Sequence, residues 1–153
     1  MLLSLVLIGC QPNTQPTITD GCLEEPPLVG EVRAKQIVCE EELPDGSEAE
    51  VGDWLLENSR VRLIIRGATH RLTQLEGTGG TIIDASLPNE FDAVTEIYPT
   101  FEKGWPSSAI VSSTGDSIQV EATDGSGLSW TYQLDPEQSV LTVENAIGFT
   151  LVP

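Results

Sequence analysis

Ile118-Gln119-Val120-Glu121-Ala122, then Asp124-Gly125-Ser126-Gly127, then Leu128-Ser129-Trp130-Thr131-Tyr132-Gln133-Leu134 is the stretch that decides the fold. Apolar and polar side chains alternate on both sides of a glycine-bearing turn. An extended chain sends successive side chains to opposite faces, so each half reads as a strand with one buried face. The turn between them makes the pair a hairpin.

The same period extends outward. Arg60-Val61-Arg62-Leu63-Ile64-Ile65-Arg66 sends Val61, Leu63 and Ile65 to one face and Arg60, Arg62 and Arg66 to the other. Thr81 to Ile83, Val94 to Tyr98, Ala109 to Ser112 and Val140 to Ile147 supply further short strands. Asp45-Gly46, Asn58-Ser59 and Thr114-Gly115-Asp116 supply turns between strands. No stretch carries a sustained helical stripe. About eight to ten short strands predict an all-β chain, a β-sandwich over residues 50–153. The run from Ile147 to Pro153 is still apolar at its last residue. It reads either as the closing edge strand of a finished domain or as the front of a longer protein.

A chain of 153 residues fits one domain. Its 24 acidic and 7 basic residues leave a net charge of -17. Such a surface repels phosphate backbones, so no nucleic-acid partner is expected. It also repels anionic lipid, so membrane attachment requires an anchor.

Met1 to Gly9 reads MLLSLVLIG. As a helix it covers roughly 14 Å, less than half a bilayer core, which is the length of a signal-peptide apolar region rather than a span. Leu7-Ile8-Gly9-Cys10 resembles the bacterial lipobox. That resemblance implies removal of residues 1–9, lipidation of Cys10, and acyl chains such as palmitate holding the protein to a membrane. No Lys or Arg precedes Leu2, which a start upstream of Met1 would explain. The alternative is a buried N-terminal strand with Cys10 in the core. Gln11 in place of Asp implies, by likeness to Gram-negative lipoproteins, delivery to the outer membrane. Residues 10–21, rich in Gln, Pro and Thr, read as a lipidated cysteine followed by a flexible tether.

With Cys10 given to lipid, Cys22 and Cys39 remain, and export permits a disulfide between them. It would close a loop of roughly 17 residues, worth about 3 kcal/mol, and staple an acidic segment over 22–49. Two cysteines and the distant His70 lack the spacing of a zinc site.

Catalytic constellations are hard to find. His70, the single histidine, lies in Gly67-Ala68-Thr69-His70-Arg71 and reads as an exposed loop residue, with no Gly-x-Ser-x-Gly elbow to serve. No pair among the 24 acids is marked by its spacing. Gly77-Thr78-Gly79-Gly80 lacks the Lys-Ser/Thr of a phosphate loop and reads as a turn needing positive φ. Asp45, Asp116 and Asp124 sit in oxygen-rich turns that read as Asx-turns rather than calcium loops. No metal or cofactor is expected. The ligand-binding candidates are Arg60, Arg62 and Arg66, the first two about 7 Å apart along a strand. They would grip an acidic glycan or another domain's carboxylates, or else pair across strands with local glutamates. Of three tryptophans, Trp130 reads as core and Trp105, in a loop, as the ligand platform.

Three stretches carry a wider resemblance: Gly52 to Arg62, Gly79-Gly80-Thr81-Ile82-Ile83-Asp84-Ala85, and Ile97 to Phe101. Across roughly residues 50–147 they resemble uncharacterised secreted lipoproteins of myxobacteria and related deltaproteobacteria. The order of features is also similar to the sugar-binding supersandwich of mutarotase-type proteins. Mutarotase chemistry needs several histidines, so the resemblance implies the fold and not the catalysis. The expectation is a membrane-anchored envelope lipoprotein with a non-enzymatic binding or scaffolding role, its partner a glycan or an envelope protein. The alternative is the N-terminal β-region of a larger secreted hydrolase.

Overall fold

The computed structural model describes residues 22, 25–44, 46–70, 79–87, 96–102 and 104–152. The leader 1–9, the lipidation site Cys10 and Arg71 lie outside the described residues.

The described residues form ten strands: β1 (Val32–Gln36), β2 (Trp54–Asn58), β3 (Arg62–Ile65), β4 (Ile82–Ser86), β5 (Glu96–Thr100), β6 (Ala109–Ser113), β7 (Ser117–Ala122), β8 (Ser129–Leu134), β9 (Leu141–Glu144) and β10 (Gly148–Val152). A single 3-10 turn, Glu40–Glu42, is the one helical element among them. All pairings are antiparallel. One sheet has six strands in the order β1-β2-β3-β4-β5-β10, and the other is the meander β6-β7-β8-β9. The chain completes β5, builds the second sheet, then returns to lay β10 beside β5, with Thr150 opposite Tyr98. The fold is an all-β sandwich, as the alternation predicts.

The deciding hairpin is β7–β8. Ile118 pairs with Tyr132 and Val120 with Trp130, and all four side chains are buried. They meet Ala34, Leu56, Leu63, Ile65 and Ile82 from the six-stranded sheet in one core. Removing the Trp130 side chain from such a site costs about 3–5 kcal/mol. Burial pushes the Tyr132 phenol far above its usual range, so it stays neutral and donates to the Gly80 carbonyl at 2.6 Å.

The six-stranded sheet is buried on its outer face as well. Leu55, Ile64 and Ile83 pack there with Ile37, and Leu43 and Ala49 close over them. Burial on both sides explains why β3 reads Leu63-Ile64-Ile65 without a polar break. Ile65 pairs with Ile82 but Ile64 with Asp84, so Ile83 is an extra residue in β4, a β-bulge.

The outer cover comes from the acidic N-terminal segment, and that segment also supplies β1. Val32 and Ala34 face the core, and Arg33 and Lys35 face outward. Glu42 in the 3-10 turn pairs with Lys35 and accepts from the Val38 amide at 3.0 Å. Burial works against its charge, but Lys35 and the Val38 and Cys39 amides outweigh burial and hold its pKa below the usual carboxylate range. Cys22 and Cys39 are joined by a disulfide, their Cα atoms 5.4 Å apart. A Cys39→Ser protein should lose about 3 kcal/mol in urea titrations, and reductant should lower the parent to the same midpoint. Equal stability with and without reductant would show that the cover holds unaided.

Asn58 ties the two sheets together at one end. Its Oδ1 accepts from the Arg60 and Val61 amides at 2.8 and 2.9 Å, making the β2–β3 turn. Its Nδ2 donates to the Asp135 and Gln138 carbonyls at 2.6 and 2.9 Å, in the β8–β9 turn of the other sheet.

Candidate functional site

The three candidate arginines do not form one solvent-facing row. Arg60 sits exposed in the β2–β3 turn. Arg62 opens β3, where its Nε donates to Glu57 Oε2 at 3.0 Å. Glu57 is 2% exposed and takes Arg33 on its other oxygen, so a row Arg33–Glu57–Arg62 runs across β1, β2 and β3. Arg66 is fully buried beyond the strand end. The expected arginine face is therefore corrected: the covering segment and Glu57 occupy that side of the sheet. Of the two readings of Arg62, cross-strand pairing with a glutamate is the one observed.

Trp105 does not stand apart from the core. Its ring lies 5.2 Å from Trp130 and 5.8 Å from Phe101, partly buried at the margin of the core. The Lys-Gly-Trp-Pro sequence looks like an open loop, but three aromatic rings gain more by stacking than by facing water.

His70 is buried, not exposed. Its Nδ1 lies 2.8 Å from Oδ2 of Asp53, which has no solvent exposure at all. Asp53 Oδ1 accepts from the Gly67 amide at 2.7 Å and Oδ2 from the Glu50 amide at 2.9 Å. One carboxylate thus clasps the turn before β2 to the turn after β3. The backbones approach so closely that a Cβ on Gly67 would stand 2.5 Å from the Gly52 carbonyl oxygen, and one on Gly79 2.6 Å from the Ala68 nitrogen. An Asp–His pair orients an imidazole for acid–base work, but among the described residues no hydroxyl or thiol is hydrogen-bonded to this ring. The arrangement serves as a latch.

The oxygen-rich turn at Asp124 is used by the protein itself. Oδ2 accepts from the Ser107 amide at 2.7 Å and Oδ1 from the Ser126 amide at 2.9 Å. The Ser126 and Ser107 amides hold its pKa down at about 2. Because the folded value lies below the ordinary 3.8, this clasp is at full strength above pH 3.8 and weakens as pH falls through about 2. An NMR titration should find Asp124 still ionised at pH 3, with the Ser107 and Ser126 amides shifting only below that; an ordinary midpoint would contradict it. Elsewhere, Cys22, Cys39 and Glu41 form the one metal-like grouping among the described residues, and the disulfide occupies both sulfurs.

A broad uncommitted surface remains on the outer face of β6–β9. Ser112, Gln119, Thr131 and Glu144 stand in register across all four strands, and Ile110, Glu121 and Ser129 form the next row. Ile110, Ser112, Gln119, Glu121, Ser129 and Thr131 line a depression over β6–β8. No motif marks these residues in the sequence, where they are simply the polar half of each alternation.

No family model, curated protein or solved structure matches this chain.

Proposed function

We propose that this chain is an exported, lipid-anchored β-sandwich of the bacterial cell envelope, acting as a binding or scaffolding module rather than an enzyme. The supporting observation is the Cys22–Cys39 disulfide. Structural disulfides belong to oxidising compartments, and this one accounts for two of three cysteines. The third, Cys10, follows the apolar run that resembles a signal peptide and lipobox. A net charge of -17 offers no electrostatic hold on anionic lipid, so two or three acyl chains on Cys10 would supply the attachment. A binding role agrees with how three buried polar side chains are used. Asp53, Glu57 and Asn58 are all engaged in tying backbone or strands together.

The test is metabolic labelling with an alkyne fatty acid in a bacterial host. The parent protein should carry label and sediment with membranes, and Cys10→Ser should lose both properties. Label retained on Cys10→Ser would overturn the anchor.

A further inference from the structure

Cys22, Cys39 and Glu41 meet at the 3-10 turn. Their two sulfurs and a Glu41 carboxylate oxygen all lie within 4.8 Å of one another. Cys39 caps the turn, which is closed by the Glu42 amide on the Cys39 carbonyl at 3.3 Å and the Leu43 amide on the Glu40 carbonyl at 3.1 Å. Leu43 fixes it against Ile37, Leu55, Ile64 and Ile83. The carboxylates of the turn are used differently. Glu42 is held by Lys35 and the Val38 amide. Glu41 is exposed and makes no hydrogen bond or ion pair among the described residues. Both cysteines are half-buried, so the bridge is within reach of solvent.

We propose that this pair of cysteines, once reduced, binds a thiophilic divalent cation of the zinc class, with Glu41 as the third ligand. A dithiol reductant would open the bridge. Its own two thiols become a disulfide, and Cys22 and Cys39 take up the two electrons and two protons. The metal then binds both sulfurs as thiolates and releases those two protons to solvent. Two thiolates and a carboxylate are a donor set that zinc accepts, with water completing a tetrahedron. Two sulfurs on one zinc stand about 3.8 Å apart, since each bond is about 2.3 Å. Cα atoms 5.4 Å apart let side-chain rotation reach that separation. Hard ions such as calcium prefer all-oxygen sites and gain nothing from the sulfurs. Counting cysteines and histidines misses the site, because its third ligand is a carboxylate two residues beyond Cys39. The metal would close the same loop that the disulfide closes, so the N-terminal segment stays stapled in either redox state. Nothing here rests on export or on lipidation of Cys10.

The test uses the full chain with Cys10→Ser, which removes the third thiol, reduced with a phosphine and kept free of oxygen. Co²⁺ is the spectroscopic probe and Zn²⁺ the competitor. The reduced protein should bind one Co²⁺ with a sulfur-to-cobalt charge-transfer band, and Zn²⁺ but not Ca²⁺ should abolish that band. The oxidised protein should show no band, nor should a reduced protein that also carries Cys22→Ser. Glu41→Gln should weaken Zn²⁺ binding by at least about tenfold. The same substitution should leave the melting temperature of the oxidised protein unchanged, because Glu41 holds nothing there. Zn²⁺ should also return part of the urea resistance that reduction removes. Absence of the band from the reduced protein, equal zinc affinity in Glu41→Gln, or zinc binding without any gain in urea resistance would each overturn the proposal. Those outcomes leave the acyl-labelling result untouched, so loss of the metal site and loss of the anchor are told apart.

Discussion

Gly80→Ala is expected to destabilise the protein by about 3 kcal/mol and lower its melting temperature by roughly 6–12 °C. Gly80 adopts φ +99, a conformation that L side chains rarely take. A Cβ there would stand 2.6 Å from Val120 Cγ1 and 2.9 Å from Trp130 Cζ2, wedging the two sheets apart. It would also disturb the carbonyl that receives the Tyr132 hydroxyl. Gly115→Ala is the matched comparison. Gly115 has nearly the same φ, +100, but nothing within 4 Å of the added carbon. Strain alone should cost it about 1 kcal/mol. Thermal and urea unfolding of both proteins measure the difference, and equal losses would mean that sheet contact is not what Gly80 provides.

Asp53→Ala should have an effect at least as large, about 3–5 kcal/mol. The substitution strands the buried Gly67 amide and His70 ring and frees the part-buried Glu50 amide, and each buried unsatisfied group costs about 1–3 kcal/mol. Asp53→Asn keeps the shape and one acceptor oxygen, so it should fall between the parent and alanine. Hydrogen exchange adds a local readout, since the Gly67 and Glu50 amides should lose protection first. Unchanged exchange at those amides in Asp53→Ala would show that backbone packing around Gly52, Gly67 and Gly79 holds the corner without the carboxylate.

Much of the second sheet is legible in the sequence because it has one wet face. In β7 and β8 every other residue is polar, and the core residues Ile118, Val120, Trp130 and Tyr132 can be picked out by period alone. The first sheet is harder for the opposite reason. Once Ile37, Leu43 and Ala49 cover its outer face, alternation no longer reports exposure. Arg62 and Arg66 look like a solvent-facing pair, yet one is held by Glu57 and the other is enclosed. β1 escapes notice because Ala34 is small and Arg33 and Lys35 are charged, so its inward face has little apolar signal. The Asp53–His70 contact spans 17 positions between two turns and depends on glycine backbones meeting, which no local pattern records. The cysteine pairing was legible by counting, since assigning Cys10 to lipid left a single partner for each remaining thiol. The open face of β6–β9 could not be singled out, because a polar strand face has the same composition whether or not a ligand uses it.

The disulfide also decides how the domain would bear a load. Tension entering the chain upstream of Cys22 reaches the sulfur bridge and passes directly to Cys39. β1 lies within the closed loop and cannot be drawn out while the bond is intact. A pull that would otherwise peel β1 from β2 one residue pair at a time is instead delivered beside the 3-10 turn, against the packed cover. The bridge is thus a mechanical shunt: reduction would let the domain unzip from its first strand.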